Sequence, residues 1–270
     1  MSEIINYASK NPDTYVYQKA AEILYEELEE DYSFIIQVWN HDKPIEAKYP
    51  KVFISTSDEV HAMPAEADDD SYVHIFKQYA PMADMKNPVS VLKTEKVSPL
   101  PLCSLEGFVD QDINISDRKY DWSWMGQFDP YSRVHFKNSV SELEGAGHQS
   151  KVLWYNGWNN GEPIDDYCSV MNNTKIALVP TGSASYESFR FFEAAQAGCV
   201  IISQQMPFVP MYNVAPNIIV DNSWSNLTNI VDKILASPEE MEYYSKASRM
   251  WYEHFCSPKG LASYMAKRLK

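Results

Sequence analysis

The sequence predicts an α/β protein of two units, the second built around a parallel sheet. Three observations carry that prediction. From Trp122 onward, short apolar strands alternate with helix-length segments, the pattern of βαβ crossovers and of a parallel sheet covered on both faces. A polar run without apolar periodicity, DQDINISDRK from Asp110 to Lys119, separates this regular half from a less regular one. The 270 residues, 45% of them hydrophobic, exceed one typical domain and supply enough apolar side chains for two cores. The expected division is 1–112 for the first unit, 113–256 for the second and 257–270 for a terminal helix.

Each element has its own signature. Thr14 to Glu29 repeats apolar residues at helical spacing and ends in an acidic cluster, so it reads as an amphipathic helix. FIIQVW from Phe34 and KVFIST from Lys51 are strands, and YVHIFKQY from Tyr72 is a weaker one. Asp84 to Leu102 is rich in Pro and polar residues; within it VSPLPL, from Val97, forms a strand entering a crossover. In the second half, WSWMGQ (from Trp122), KVLWYN (from Lys151), KIALVP (from Lys175), CVIIS (from Cys199) and NIIV (from Asn217) are strands. Helices are expected over Ser132 to Leu143, over Ile164 to Met171, ahead of Cys199 and from Trp224 onward. The last two helices are separated by the Ser-Pro break before Lys259.

Charge and cysteine usage exclude several classes of function. A net charge of -14 leaves no bulk attraction to a nucleic acid or an anionic bilayer, so an anionic substrate needs a local basic pocket. Cys103, Cys168, Cys199 and Cys256 have no paired spacing and read as reduced, buried, structural thiols. The amino terminus shows neither a basic n-region nor an apolar h-region, and no apolar run is long enough to span a membrane. A cytoplasmic protein is expected, in which the sequons at Asn114, Asn172 and Asn226 are chance matches.

In a parallel sheet, ligands bind outside the carboxyl ends of the strands, where loops lead into helix amino termini. The loop PTGSASYE, Pro180 to Glu187, follows a strand directly and opens a helix. With Ser185 as the cap, the free amides and positive dipole end of that helix suit phosphate oxygens, and Ser183 and Ser188 add hydroxyl donors. On a helix starting there, Tyr186, Arg190, Glu193 and Ala197 share one stripe. The same sequence also suits a plainer reading, in which Glu187, Arg190 and Glu193 form exposed ion pairs worth about 0.3 kcal/mol each.

Ser188, Phe189, Arg190, Glu193, Ala194, Ala197, Gly198 and Cys199 together resemble the S-F-R-x-x-E-A-x-x-A-G-C signature of exostosin-like glycosyltransferases. WSWMGQFDPYSRVHF from Trp122 is similar to the start of the donor domain in that family, and the resemblance runs from about Asp121 to Arg249. It implies a GT-B architecture, two Rossmann-like domains with mainly parallel sheets facing across a cleft, the second holding a nucleotide sugar. By position, it implies that Glu193 accepts from the ribose hydroxyls and that Arg190, Ser188 and Arg133 hold the diphosphate. The chemistry agrees: a carboxylate accepts from both hydroxyls of a vicinal diol, and a guanidinium fork matches phosphate oxygens. Positive charge there stabilises a nucleoside diphosphate leaving group, so no metal is required. The resemblance also implies that the terminal helix packs back on the first domain. Animal members carry a membrane anchor and a longer first domain, features not seen in this sequence; a bacterial or viral enzyme building a surface glycan fits better.

An inverting transfer needs a general base, which GT-B enzymes commonly place in the first domain. KVFISTSDEVHAMP offers Asp58, then Glu59, then His61, just past an apolar strand; a capped turn with solvated carboxylates is the alternative. Asp68 to Asp70 invite a metal, but they lack the preceding strand and read as a solvated turn. LWYNGWNNGEP, from Leu153, offers Tyr155 and Asn156, with Trp158 and Asn159, to stack on and read a nucleobase. Packing of Trp154 in the core and exposure of the rest explains that loop equally well. The sequence therefore predicts transfer of a sugar from a nucleotide donor, a UDP-sugar, to a glycan hydroxyl. A non-catalytic nucleotide-sugar or glycan-binding protein is the main alternative. A Rossmann oxidoreductase is disfavoured, since no G-x-G-x-x-G follows a strand.

Overall fold

The computed structural model describes residues 2–8, 14–38, 45–56, 63–79, 82–84, 87–90, 95–103, 107–108, 113–129, 133–157, 160–182 and 185–270. In chain order the first elements are β1 (Glu3–Asn6), α1 (Tyr15–Glu27), β2 (Ser33–Val38), β3 (Lys51–Thr56), β4 (Tyr72–Lys77), β5 (Met82–Asp84), β6 (Asn87–Ser90) and β7 (Val97–Pro99). Next come β8 (Tyr120–Gln127), α2 (Val134–Glu144), β9 (Ser150–Tyr155), α3 (Ile164–Asn172), β10 (Thr174–Val179), α4 (Phe189–Gln196) and β11 (Val200–Ser203). The chain ends with α5 (Pro210–Asn213), β12 (Asn217–Ile219), α6 (Leu227–Leu235), α7 (Pro238–Phe255) and α8 (Pro258–Leu269).

Two compact units result: Met1–Glu106 with Pro207–Asn213 and Glu253–Lys270, and Gly107–Met206 with Val214–Tyr252. The first holds a parallel sheet in the order β1-β2-β3-β4-β7, with β5 and β6 as a separate antiparallel pair. Its central strands are apolar on both faces, as a doubly covered sheet requires. Phe34, Ile36, Val52, Ile54 and Phe76 meet α1 and α8 on one face, whereas Ile35, Phe53, Ile75 and Val97 form a second cluster with Ile45 and Tyr72. The helices supply matching stripes, Val16, Tyr17, Ala20, Ala21 and Leu24 from α1 and Leu261, Ala262 and Met265 from α8. Helix α8 starts where Pro258 occupies its first turn and the Ser257 hydroxyl accepts from the Gly260 amide at 3.1 Å. Strand β1 and the β5–β6 pair were not anticipated, because EIIN is short and MAD and NPVS lack an alternating apolar pattern.

The second unit carries a parallel sheet in the order β12-β11-β10-β8-β9. Its core is aromatic: buried Trp122, Trp124, Phe136 and Trp224 pack with Val140, Leu143, Ile176, Leu178 and Val200. The chain places β9 on one side of β8 and then returns to the other side with β10. The strand order thus reverses between β8 and β10, and the crevice at such a reversal is where open α/β sheets bind ligands.

One expectation about the helix ahead of Cys199 needs correction. Helix α4 begins at Phe189 with Ser188 in the cap position, and the Ser188 hydroxyl makes no capping bond. Ser185 is not the cap: its hydroxyl accepts from the Glu187 amide at 2.9 Å, which turns the chain before the helix starts. Tyr186 therefore lies outside the helix, and the stripe reduces to Arg190, Glu193 and Ala197. The helix ends on Gly198 at φ +67°, with Gly198 N–H on the Ala195 carbonyl and Cys199 N–H on that of Ala194. This is a Schellman closure, which explains the small-residue A-G-C ending of the signature.

Candidate functional site

Charged side chains converge on the reversal between β8 and β10. Arg133 enters α2 as its cap residue, and its guanidinium bridges the two strands' carboxyl ends. One terminal nitrogen donates to the Gln127 carbonyl at 2.7 Å and the other to the Thr181 carbonyl at 2.9 Å. Arg190, in the first turn of α4, donates through Nη2 to the Met125 carbonyl of β8, and its Nε is buried without a hydrogen-bond partner. Both guanidinium groups lie over the buried Trp124 ring, with centroid distances of 4.2 Å for Arg190 and 5.4 Å for Arg133. Gly126 makes the space, since a Cβ there would stand 2.8 Å from both Arg190 Nη2 and the Trp124 ring.

The electrostatics of this pair are unusual for so acidic a chain. Among the described residues, neither guanidinium lies within ion-pair distance of a carboxylate. Burial first, and then the like charge of Arg190, bring Arg133 down to about 10, although Asp129 works in the opposite direction. Two cations that disfavour each other on an aromatic platform would be relieved by an anion.

Glu193 lies one turn further along α4 and is 5% exposed. Its Oε2 accepts a 2.5 Å hydrogen bond from the Tyr167 hydroxyl of α3. Burial, and next the charge of Glu193, hold that phenol well above its ordinary pKa. The Tyr167 ring packs edge-on against Phe108, with centroids 5.8 Å apart. Glu187 is also buried, at 2% exposure. The reading of Glu187, Arg190 and Glu193 as exposed ion pairs therefore fails.

The remaining expected residues fall as follows. Tyr155, the last residue of β9, is half-buried, and burial followed by the charge of Glu162 raises its phenol. Asn156 is exposed, with its carbonyl accepting from the Asn160 amide at 2.6 Å. Trp154 packs against Trp124 and Phe136, as the core reading of that loop expected. Ser183 and the base candidates Asp58, Glu59 and His61 lie outside the described residues. The Asp69 carboxylate accepts from the Ser71 amide in a turn, and among the described residues no group of three His, Cys, Asp or Glu side chains could hold a metal ion. No helix among them is long and apolar enough to cross a membrane.

Sequence reasoning missed Trp124, Gly126 and Tyr167. Trp124 and Gly126 stood in view in WSWMGQ, where an isolated glycine in a strand signals close approach by another group. Tyr167 carried no comparable signal.

No family model matches the sequence, and a search of curated proteins returns no match. Solved structures do match. AviGT4, a glycosyltransferase involved in avilamycin A biosynthesis, aligns with a TM-score of 0.60 at 9% identity over 99% of this chain and 97% of its own. TarM of S. aureus, crystallised with fondaparinux, alpha-GlcNAc-glycerol and UDP, aligns at 0.51 and 9% identity over 94% of this chain and 59% of its own. Sucrose-phosphate synthase of Thermosynechococcus elongatus aligns at 0.50 and 13% identity over 96% and 78%. At such identities the likeness concerns the fold, which is that of a two-domain, Rossmann-like GT-B protein.

Proposed function

We propose that this chain is an exostosin-like glycosyltransferase that moves a sugar from a UDP-sugar to a glycan hydroxyl, with inversion and without a metal. The observation that carries the reading is the Arg133–Arg190 pair, two guanidiniums that have no carboxylate partner among the described residues, at the reversal of the second sheet. A diphosphate set against them removes their mutual repulsion and gains charge-assisted hydrogen bonds from Arg190 and the first-turn amides of α4. As the bond to the sugar breaks, negative charge grows on that diphosphate, so the same cations favour the transition state over the ground state. Glu193 accepts from the ribose, Ser183, Ser185 and Ser188 line the phosphate loop, and Tyr155 with Asn156 border the base. The general base is supplied by the first unit, Asp58 first, with Glu59 and His61 behind it. The glycosyltransferase fold neighbours favour this reading over a dehydrogenase, and a purely binding role remains the second reading only if transfer is absent while UDP binds.

The test is a thermal-shift panel of nucleoside diphosphates and their sugars, with and without EDTA. A ligand present at 100 times its Kd stabilises the folded state by about 2.7 kcal/mol. UDP or a UDP-sugar should raise the Tm, the rise should persist in EDTA, and Arg190→Ala and Glu193→Ala should lose it. Folded variants that respond as the parent does would show that the ligand sits elsewhere.

A further inference from the structure

We infer that Tyr167 is a positioning residue for ribose recognition, setting the orientation of the Glu193 carboxylate through its hydroxyl. This rests on the donor reading above and deepens it. The phenol has one proton to give, and that proton goes to Glu193 Oε2 at 2.5 Å. Because burial and the neighbouring carboxylate raise the phenol's pKa, it remains a donor throughout the physiological range. The bond ties α3 to α4 and fixes the side-chain torsions of a glutamate that is itself buried.

A carboxylate offers about four lone-pair sites. Saturating one of them from a fixed direction restricts how a diol can approach the others. The Tyr167 ring is in turn held edge-on by Phe108, and Cys168 beside it is buried, so the donor stands on a packed element. A site built in this way discriminates by leaving buried acceptors unpaired when a ligand hydroxyl is missing, which makes the difference between ribose and 2′-deoxyribose the natural readout. The alternative geometry, in which the phenol occupies the place of a ribose hydroxyl, predicts the opposite sign.

The experiment measures binding of UDP, its 2′-deoxy analogue and inorganic diphosphate to the full chain by calorimetry, in the parent, Tyr167→Phe, Glu193→Ala and the double variant. Tyr167→Phe keeps the ring and its contact with Phe108, and its Tm serves as the control for folding. Expected is a roughly tenfold loss of UDP affinity with smaller discrimination against the 2′-deoxy analogue, unchanged affinity for inorganic diphosphate, and no further loss when Tyr167→Phe is added to Glu193→Ala. Unchanged discrimination in Tyr167→Phe, additive losses in the double variant, or tighter UDP binding would each overturn the assignment while leaving the donor reading standing. If the parent binds UDP and Glu193→Ala binds it equally well, the donor reading of Glu193 fails first and takes Tyr167 with it. A parent without affinity for UDP sinks both.

Discussion

The two sheets have the same number of strands and the same parallel sense, yet they differ in strand order. In the first unit each strand of the main sheet lies beside its predecessor in that sheet, β1-β2-β3-β4-β7; in the second the order turns back between β8 and β10. The cations near the carboxyl ends of their strands differ as well. Lys77, fully buried at the end of β4, donates to the carbonyls of Gln78 and Tyr79 at 3.0 and 3.3 Å, so adjacent backbone takes part in holding it. Arg133 and Arg190 also use carbonyls, but they stand side by side at the reversal, and the pKa of Arg133 is lowered by burial and then by its neighbour. Lys77 is a cation set against adjacent backbone. Arg133 and Arg190 form a pair whose mutual repulsion the diphosphate proposed above would relieve.

The harshest way to break this comparison is to remove the aromatic platform. Trp124→Ala deletes a fully buried ring that touches Phe136 and Trp154 as well as both guanidiniums, and it should cost about 3–5 kcal/mol. Phe76→Ala in the first unit, also fully buried, should cost a similar amount. Denaturant unfolding measures both losses, and the UDP-induced Tm shift separates them. It should vanish in Trp124→Ala and survive in Phe76→Ala; survival in both would detach ligand binding from the reversal.

How much of this was legible in the sequence depends on the distance over which each feature is specified. The A-G-C ending was readable because a Schellman turn needs Gly198 at positive φ, a local demand. The strands of the second unit were readable from their apolar runs. Which serine starts α4 was not, because Ser185 and Ser188 are chemically alike and the choice depends on the Ser185 bond to the Glu187 amide. The partners of Arg190 were not, because its contact with the Met125 carbonyl spans 65 residues and exists only once β8 and β10 are neighbours. Tyr167 was invisible for the same reason: its hydroxyl meets a carboxylate 26 residues away on another helix.

Acid offers a milder probe that separates the units without mutation. Burial, and secondly the charge of Arg268, lower the pKa of His74 from 6.5 to about 4. Its folded pKa lies below its unfolded one, so the unfolded chain binds the extra proton between those values. The stability that neutral His74 provides is complete above pH 6.5, erodes as pH falls, and is gone below about 4. The expected loss across that window is about 2 kcal/mol, allowing for screening. Six of the seven tryptophans belong to the second unit's sequence, so their emission follows that unit while circular dichroism follows both. Acid should therefore move the dichroism transition before the fluorescence transition, and His74→Gln, which can still bond the Ser98 hydroxyl, should bring the two together. Coincident transitions in the parent would show that neither unit is selectively weakened.

The smallest effects compare two lysine–carboxylate pairs of equal length in opposite surroundings. Lys175 meets Asp121 at 2.8 Å and ties β10 to β8, with the two side chains 17% and 24% exposed. Burial alone would raise the Asp121 carboxyl; the bonds from Lys175 and from the Gln149 amide outweigh it and leave the pKa lowered. Lys19 meets Glu22 at the same 2.8 Å along α1, but at 44% and 39% exposure, where solvent screens the attraction. Lys175→Ala should cost about 1 kcal/mol, because it also leaves a partly desolvated carboxylate without its cation. Lys19→Ala should cost about 0.3 kcal/mol and lose even that in 1 M salt. If urea midpoints give equal losses, burial is not what distinguishes the two pairs. The ordering expected here holds only if the joint between β8 and β10, on which the arginine pair depends, is shielded from solvent even at its far end.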